Sequence, residues 1–126
     1  MTSSMKVYHY PKCSTCKKAL AFLREHGVVF EGIDISLSPP SAAEIRTMIE
    51  RKEAIRPLFN TSGIKYREGG FAEKLPSMSI EDAVAVLSDD GMLVKRPFVL
   101  TDTCALLGFK VDEWSVFVTQ SRKQSS

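Results

Sequence analysis

The sequence predicts an α/β fold: a mixed four-stranded sheet with flanking helices, and a helical insertion over about residues 41–90 between a β-α-β half and a β-β-α half. Three observations predict it. Short β-forming runs alternate with stretches whose apolar residues recur at helical spacing. Strand, helix and strand follow one another within the first 35 residues, an order that pairs the two strands in parallel through a crossover. Two capping boxes open amphipathic stretches in the middle of the chain, where strand signals fade.

Taken in order, Lys6-Val7-Tyr8-His9-Tyr10 is rich in β-formers and ends at Pro11, which marks a first strand. Ser14 to His26 carries Ala19, Leu20, Phe22 and Leu23 at helical spacing, and Gly27 suits the position just past a helix end. Phe30 to Ile35 reads as the second strand. Pro39-Pro40 breaks the chain, and Ser41 with Glu44 forms a capping box ahead of the stripe Ile45, Met48, Ile49. Ile55 to Leu75 is less regular, with turn signals at Asn60-Thr61-Ser62-Gly63 and Glu68-Gly69-Gly70. Ser79 with Asp82 caps a helix with Ile80, Ala83, Val84 and Leu87 on one stripe, stopping before Asp90-Gly91. Met92–Val94 and Phe98–Leu100 are predicted as short strands on either side of Lys95-Arg96-Pro97, and Ala105 to Lys110 as one more. Asp112 is expected to cap a last helix with Trp114, Phe117 and Val118 turned inward, and Ser121 onward to fray. This order of elements matches a thioredoxin-like sheet that carries its helical insertion between its two halves.

A length of 126 residues suits one domain, residues 1–126, able to bury a core without metals or staples. An apolar fraction of 44% with 25% charged residues is that of an ordinary globular protein, and a net charge of +2 gives no support to nucleic-acid or membrane binding. No apolar run approaches the roughly 18–20 residues that span a bilayer. Met1 to Lys6 lacks the apolar core of a secretory signal. A cytoplasmic location is therefore expected, where thiols stay reduced and a close cysteine pair is catalytic or metal-binding rather than structural. The cysteines are Cys13, Cys16 and Cys104, and an odd count argues against a disulfide framework.

Cys13-Ser14-Thr15-Cys16 falls where the first strand hands over to the first helix. A helix start offers unpaired N–H groups and a partial positive charge, and both favour thiolate over thiol. Lys12, Lys17 and Lys18 push the same way. Cys13 is thus the expected nucleophile. Cys16, less than a turn further on, is placed to attack a mixed disulfide at Cys13 and release the product. A zinc site would need a second ligand pair; Cys104, His9 and His26 form no C-x-x-C or H-x-x-x-H group, so no metal is expected. Lys12, Ser14 and Thr15 beside the first thiol, with Pro97, are the expected substrate-binding positions.

Proline between two strands removes a ladder hydrogen bond and needs a reason. A cis peptide in a tight turn supplies one. In a thioredoxin-like fold such a loop lies opposite the thiol-bearing helix and leaves a free backbone edge for a substrate chain. Arg96 then points toward the sulfur and steadies an anion. Cys104 is read as a core thiol, His9 as a strand residue, Lys65, Arg67 and Lys74 as solvated charges, and Trp114 as a core anchor.

Four blocks carry a resemblance over about residues 5–118: Tyr10 to Ala19, Arg56 to Gly63, Leu93 to Pro97, and Leu107-Gly108-Phe109 ahead of Trp114. In this order they resemble the ArsC/Spx family, arsenate-reductase-like proteins of thioredoxin-like fold. The resemblance implies Cys13 as nucleophile and Arg96 beside the active site, just before a cis Pro97. The C-x-x-C at a helix start and the Arg96-Pro97 turn point to a thiol–disulfide oxidoreductase that needs no bound cofactor, with glutathione or thioredoxin as external reductant and a small-molecule or protein disulfide as substrate. Cys16 brings the chain closer to the Spx-like branch, redox-sensing transcription regulators that bind RNA polymerase, which is the alternative reading. A second alternative is a glutaredoxin-type arsenate reductase. Such enzymes hold the oxyanion with three arginines; here Arg96 has a clear counterpart, Asn60 takes the place of a second, which the resemblance implies is a substrate-binding position, and Thr101-Asp102-Thr103-Cys104 lacks the third.

Overall fold

The computed structural model describes residues 5–125, with side chains described through Gln120. Met1–Ser4, which carry most of the reading against a secretory leader, lie outside the described residues. The strands are β1 (Met5–His9), β2 (Phe30–Asp34), β3 (Phe98–Leu100) and β4 (Ala105–Leu107). The helices are α1 (Ser14–Glu25), α2 (Ala42–Lys52), α3 (Ile64–Glu68), α4 (Phe71–Lys74), α5 (Ile80–Asp89) and α6 (Val111–Ser125).

The sheet has the order β2-β1-β3-β4. β1 runs parallel to β2, with Val7 opposite Gly32, and antiparallel to β3, with Val7 opposite Val99; β3 and β4 are antiparallel. Successive side chains of a strand face opposite sides, and β1 uses both. Val7 joins Ala19, Leu20 and Leu23 of α1, Val99, Leu106, and Trp114, Phe117 and Val118 of α6. Tyr8 joins the other core with Ile35, Ile45 and Met48 of α2, Leu87 of α5, Phe59 and Phe98. The mixed four-stranded sheet and its flanking helices are those predicted.

Local chemistry sets the helix ends. The Ser41 hydroxyl accepts from the Glu44 N–H at 3.1 Å while a Glu44 carboxylate oxygen accepts from the Ser41 N–H at 2.9 Å. The same carboxylate oxygen accepts from the Tyr8 hydroxyl at 2.7 Å, tying α2 to the sheet. Ser79 and Asp82 repeat the box at α5. α1 closes at Gly27, whose φ of +70° admits glycine readily. At the far end of the sheet the Arg51 guanidinium of α2 donates to the carbonyls of Thr101, Cys104 and Asp102, in the loop between β3 and β4.

Several boundaries differ from expectation. β1 stops at His9, because Tyr10 turns to accept a hydrogen bond from the Cys13 N–H. β2 stops at Asp34, before Ile35. Met92–Val94 is not a strand. The Asp90 side chain accepts from the Met92 N–H at 3.0 Å and winds Gly91–Leu93 into a 3-10 turn, leaving Val94 as a single bridge to Phe59. β4 is shorter than predicted, ending at Leu107 ahead of Gly108 at φ +72°. The stretch from Ile55 to Leu75 winds into α3, α4 and 3-10 turns at Arg56–Leu58 and Leu75–Ser77. α6 opens at Val111, so Asp112 lies in its first turn rather than capping it, and the helix runs to Ser125 where fraying was expected.

Gly91 admits no side chain: a Cβ there would stand 1.9 Å from the Ile35 carbonyl oxygen, a main-chain atom that follows β2. Gly91→Ala is therefore expected to destabilise by about 3 kcal/mol. A urea midpoint shifted by less than a third of that amount would show that the turn slides aside freely.

Candidate active site

The strand-to-helix turn builds the site. The Cys13 N–H donates to the Tyr10 carbonyl at 2.9 Å, closing the turn after β1. Cys13 is the N-cap of α1, with extended torsions of φ −92° and ψ 119°, and its sulfur accepts from the Cys16 N–H at 3.4 Å. Sulfur thus does what a serine or aspartate oxygen does at other helix starts. The first turn of α1 carries no acidic residue, so nothing in it opposes an anion there.

The two sulfurs are in unlike surroundings. Cys13 is half-buried, whereas Cys16 is buried and accepts at its sulfur from the Tyr10 N–H at 3.4 Å. Desolvation pushes the Cys13 thiol up, but the Cys16 amide, a hydrogen bond from the Cys16 side chain, the Arg96 charge and the Thr15 amide together hold it below the ordinary cysteine value. Burial pushes Cys16 up to about 12, against the pull of the Tyr10 amide and Arg96. One thiol is poised to ionise and its partner to keep its proton. The rate of Cys13 alkylation follows its thiolate fraction. It is expected to fall on acidification and to level off at a lower pH than for free cysteine; a profile matching free cysteine would remove the basis for an attacking thiolate.

Arg96 precedes Pro97 through a cis peptide bond. Its Nη1 donates to the Met92 carbonyl at 3.2 Å, and its guanidinium carbon lies 5.0 Å from the centre of the Tyr10 ring. Its charge acts on both sulfurs. Pro97 is buried behind it. Thr15 reaches the site through its main-chain amide, while the side chains of Lys12, Ser14 and Thr15 are exposed around the first thiol.

The remaining positions are less tightly joined to the sulfurs. The Phe59–Val94 bridge, the Lys95 N–H to Leu58 carbonyl bond at 2.7 Å and the Asn60 N–H to Leu93 carbonyl bond at 2.8 Å bring Leu58–Asn60 beside the segment that leads into Arg96. Among the described residues the Asn60 side chain makes no hydrogen bond to either thiol. Cys104 is half-buried rather than a core residue and packs against the Val7 cluster. It directly precedes Ala105, which pairs with Leu100, whereas Phe98 pairs with Tyr8 next to the thiol turn. The third cysteine thus sits at the opposite end of the sheet from the C-x-x-C pair. Among the described residues no group of three or more His, Cys, Asp or Glu stands where it could hold a metal ion, and no helix is long and apolar enough to cross a membrane.

Sequence reasoning missed Tyr10, which touches Cys13, Cys16 and Arg96. An aromatic residue at a strand end carries no local mark of that role; the signal lies in the pairing of β1 with β3, which brings Arg96 across to it.

Comparison with known proteins agrees with this geometry. The ArsC family profile matches residues 8–117. The chain is 42% identical over 112 residues to the uncharacterized protein YusI of Bacillus subtilis, covering 88% of this chain and 95% of that one. It is 30% identical over 98 residues to an arsenate reductase of Rhizobium meliloti (77% of this chain, 69% of that one), and 29% identical over 119 residues to the global transcriptional regulator Spx of Streptococcus mutans (90% and 83%). The crystal structure of a putative ArsC family related protein from Bacteroides fragilis superposes with a TM-score of 0.84 at 36% identity, covering 90% of this chain and 98% of that one. With a thioredoxin-like sheet, a C-x-x-C helix start and a profile match over nearly its whole length, the chain belongs to the ArsC family.

Proposed function

We propose that the protein is a cytoplasmic thiol–disulfide oxidoreductase in which Cys13 attacks and Cys16 resolves. The observation that carries this reading is the unlike surroundings of the two sulfurs: Cys13 is half-buried and accepts from the Cys16 N–H at the helix start, whereas Cys16 is fully buried, where desolvation favours its thiol form. The Cys13 thiolate attacks one sulfur of a substrate disulfide, forms a mixed disulfide and releases the other half as a thiolate that takes a proton from water. The new bond removes the negative charge that had helped to hold the Cys16 proton. Cys16 then loses that proton and attacks the Cys13 sulfur, releasing the second substrate thiol and leaving a Cys13–Cys16 disulfide. Two electrons have passed to the substrate. A glutathione- or thioredoxin-class thiol returns them. Lys12, Ser14 and Thr15, exposed around the first thiol, would flank a small-molecule or protein disulfide, with Asn60 and Pro97 on the neighbouring segments.

The test is mass mapping after mild oxidation. A Cys13–Cys16 crosslink is expected; a Cys13–Cys104 crosslink would redraw the site.

The Spx relative favours a second reading, in which the same pair is a redox switch on affinity for RNA polymerase. A pull-down with RNA polymerase that differs between oxidised and reduced protein would establish it. Arsenate reduction has the support of the Rhizobium relative. It has less from the site, because a tetrahedral oxyanion calls for several charge-assisted donors and Asn60 brings no charge. Arsenate-dependent turnover lost in Cys13→Ser would favour it.

A further inference from the structure

Tyr10 contacts both the thiol pair and Arg96. Its N–H donates to the Cys16 sulfur at 3.4 Å, and its carbonyl accepts from the Cys13 N–H at 2.9 Å. Any residue with the same torsions makes those two bonds. The ring is what tyrosine adds: its centre is 5.0 Å from the Arg96 guanidinium carbon, within the range of a cation–π contact. Otherwise the guanidinium is anchored by one bond, from Nη1 to the Met92 carbonyl at 3.2 Å. A side chain with four rotatable bonds is not fixed by a single carbonyl. Among the described residues Arg96 has no carboxylate partner to draw its charge away, so where it rests is decided by the ring and that carbonyl. The Tyr10 hydroxyl makes no hydrogen bond among the described residues, which leaves the ring face as the working part.

We propose that the Tyr10 ring is a positioning group of the dithiol site: by stacking on the Arg96 guanidinium it holds that cation beside Cys13 and so sets how readily the first thiol ionises. The role rests on Cys13 being the attacking thiolate, as proposed above. It makes Tyr10 a determinant of reactivity that does not itself touch the reacting atoms by its side chain.

The pH profile of Cys13 alkylation by iodoacetamide, read by mass spectrometry of the Cys13 peptide in a Cys104→Ser background, tests it. Tyr10→Phe keeps the ring and is expected to reproduce the parent profile. Tyr10→Leu, or Tyr10→Met if the leucine variant does not fold, is expected to move the profile toward alkaline pH, slowing alkylation at pH 7 by about three- to fivefold. The shift has the same direction as that of Arg96→Ala. In an Arg96→Ala background, removing the ring is expected to add nothing. A parent profile below that of free cysteine that Tyr10→Leu leaves in place overturns the role of Tyr10 alone. A Tyr10→Leu shift undiminished in the Arg96→Ala background also overturns it, since the ring would then act through packing. A parent profile equal to that of free cysteine overturns this role and the exchange reading together.

Discussion

Cys16→Ala is expected to halt disulfide exchange after one event, with the substrate half held on Cys13 as a mixed disulfide that accumulates to one equivalent. Cys13→Ser is expected to stop the reaction before that point, with a loss of about a thousandfold, since a hydroxyl at the helix start does not ionise near neutral pH. The difference follows from where the two sulfurs sit. Cys13 is half-buried and reachable, and its charge is met by the Cys16 amide and Arg96. Cys16 is fully enclosed, so its one accessible target is the neighbouring sulfur. Cys104, at the other end of the sheet, is expected to be replaceable by serine without effect on either outcome. Non-reducing mass spectrometry of each variant after incubation with a mixed aromatic disulfide reads all three. Accumulation of the adduct on Cys16 rather than Cys13, or full turnover by the Cys16→Ala protein, would overturn the assigned order of attack.

The second large effect concerns stability. Trp114 is fully buried between α1, the sheet and its own helix, its Nε1 donates to the Gly108 carbonyl at 3.1 Å, and its ring meets Phe109 edge-on with centres 5.2 Å apart. Trp114→Ala empties that space and leaves a carbonyl without its donor. The expected cost is about 4 kcal/mol, a fall in Tm of roughly 15 °C for a chain of this size. Trp114→Phe restores much of the volume but not the donor, and is expected to lose about half as much. Circular dichroism melts compare the two; equal and small losses would mean that the tryptophan is not the anchor of α6.

The elements that could be read in the sequence are those whose cause is local. The Ser41–Glu44 and Ser79–Asp82 boxes form within a single turn, and both are present as spaced. Cys13 could be placed at a helix start because a β-run, a proline and an amphipathic stretch meet there. Trp114 declared itself by apolar spacing along α6. Most of what escaped depends on partners distant in the chain. Met92-Leu93-Val94 has the composition of a strand, but a cap from Asp90 and the approach of Gly91 to Ile35 bend it into a turn. Val94 keeps one bridge of the expected ladder. The same distinction divides the site. The thiol pair follows from four consecutive residues, whereas the contact of Tyr10 with Arg96 exists because β1 and β3 lie side by side. Asn60, expected to take the place of an oxyanion-binding arginine, lies beside Leu93, and among the described residues its side chain makes no hydrogen bond to either sulfur.

The clasp that Arg51 makes on the hairpin between β3 and β4 grips main-chain oxygens and ignores side chains. Such a grip is indifferent to lettering. The tip at Asp102 and Thr103 can drift through evolution, so long as the turn keeps its carbonyls aimed at one guanidinium. A single arginine on the helical layer, with the Thr101 hydroxyl that takes the Cys104 N–H, thereby fastens down a margin of the sheet whose tip is free to wander.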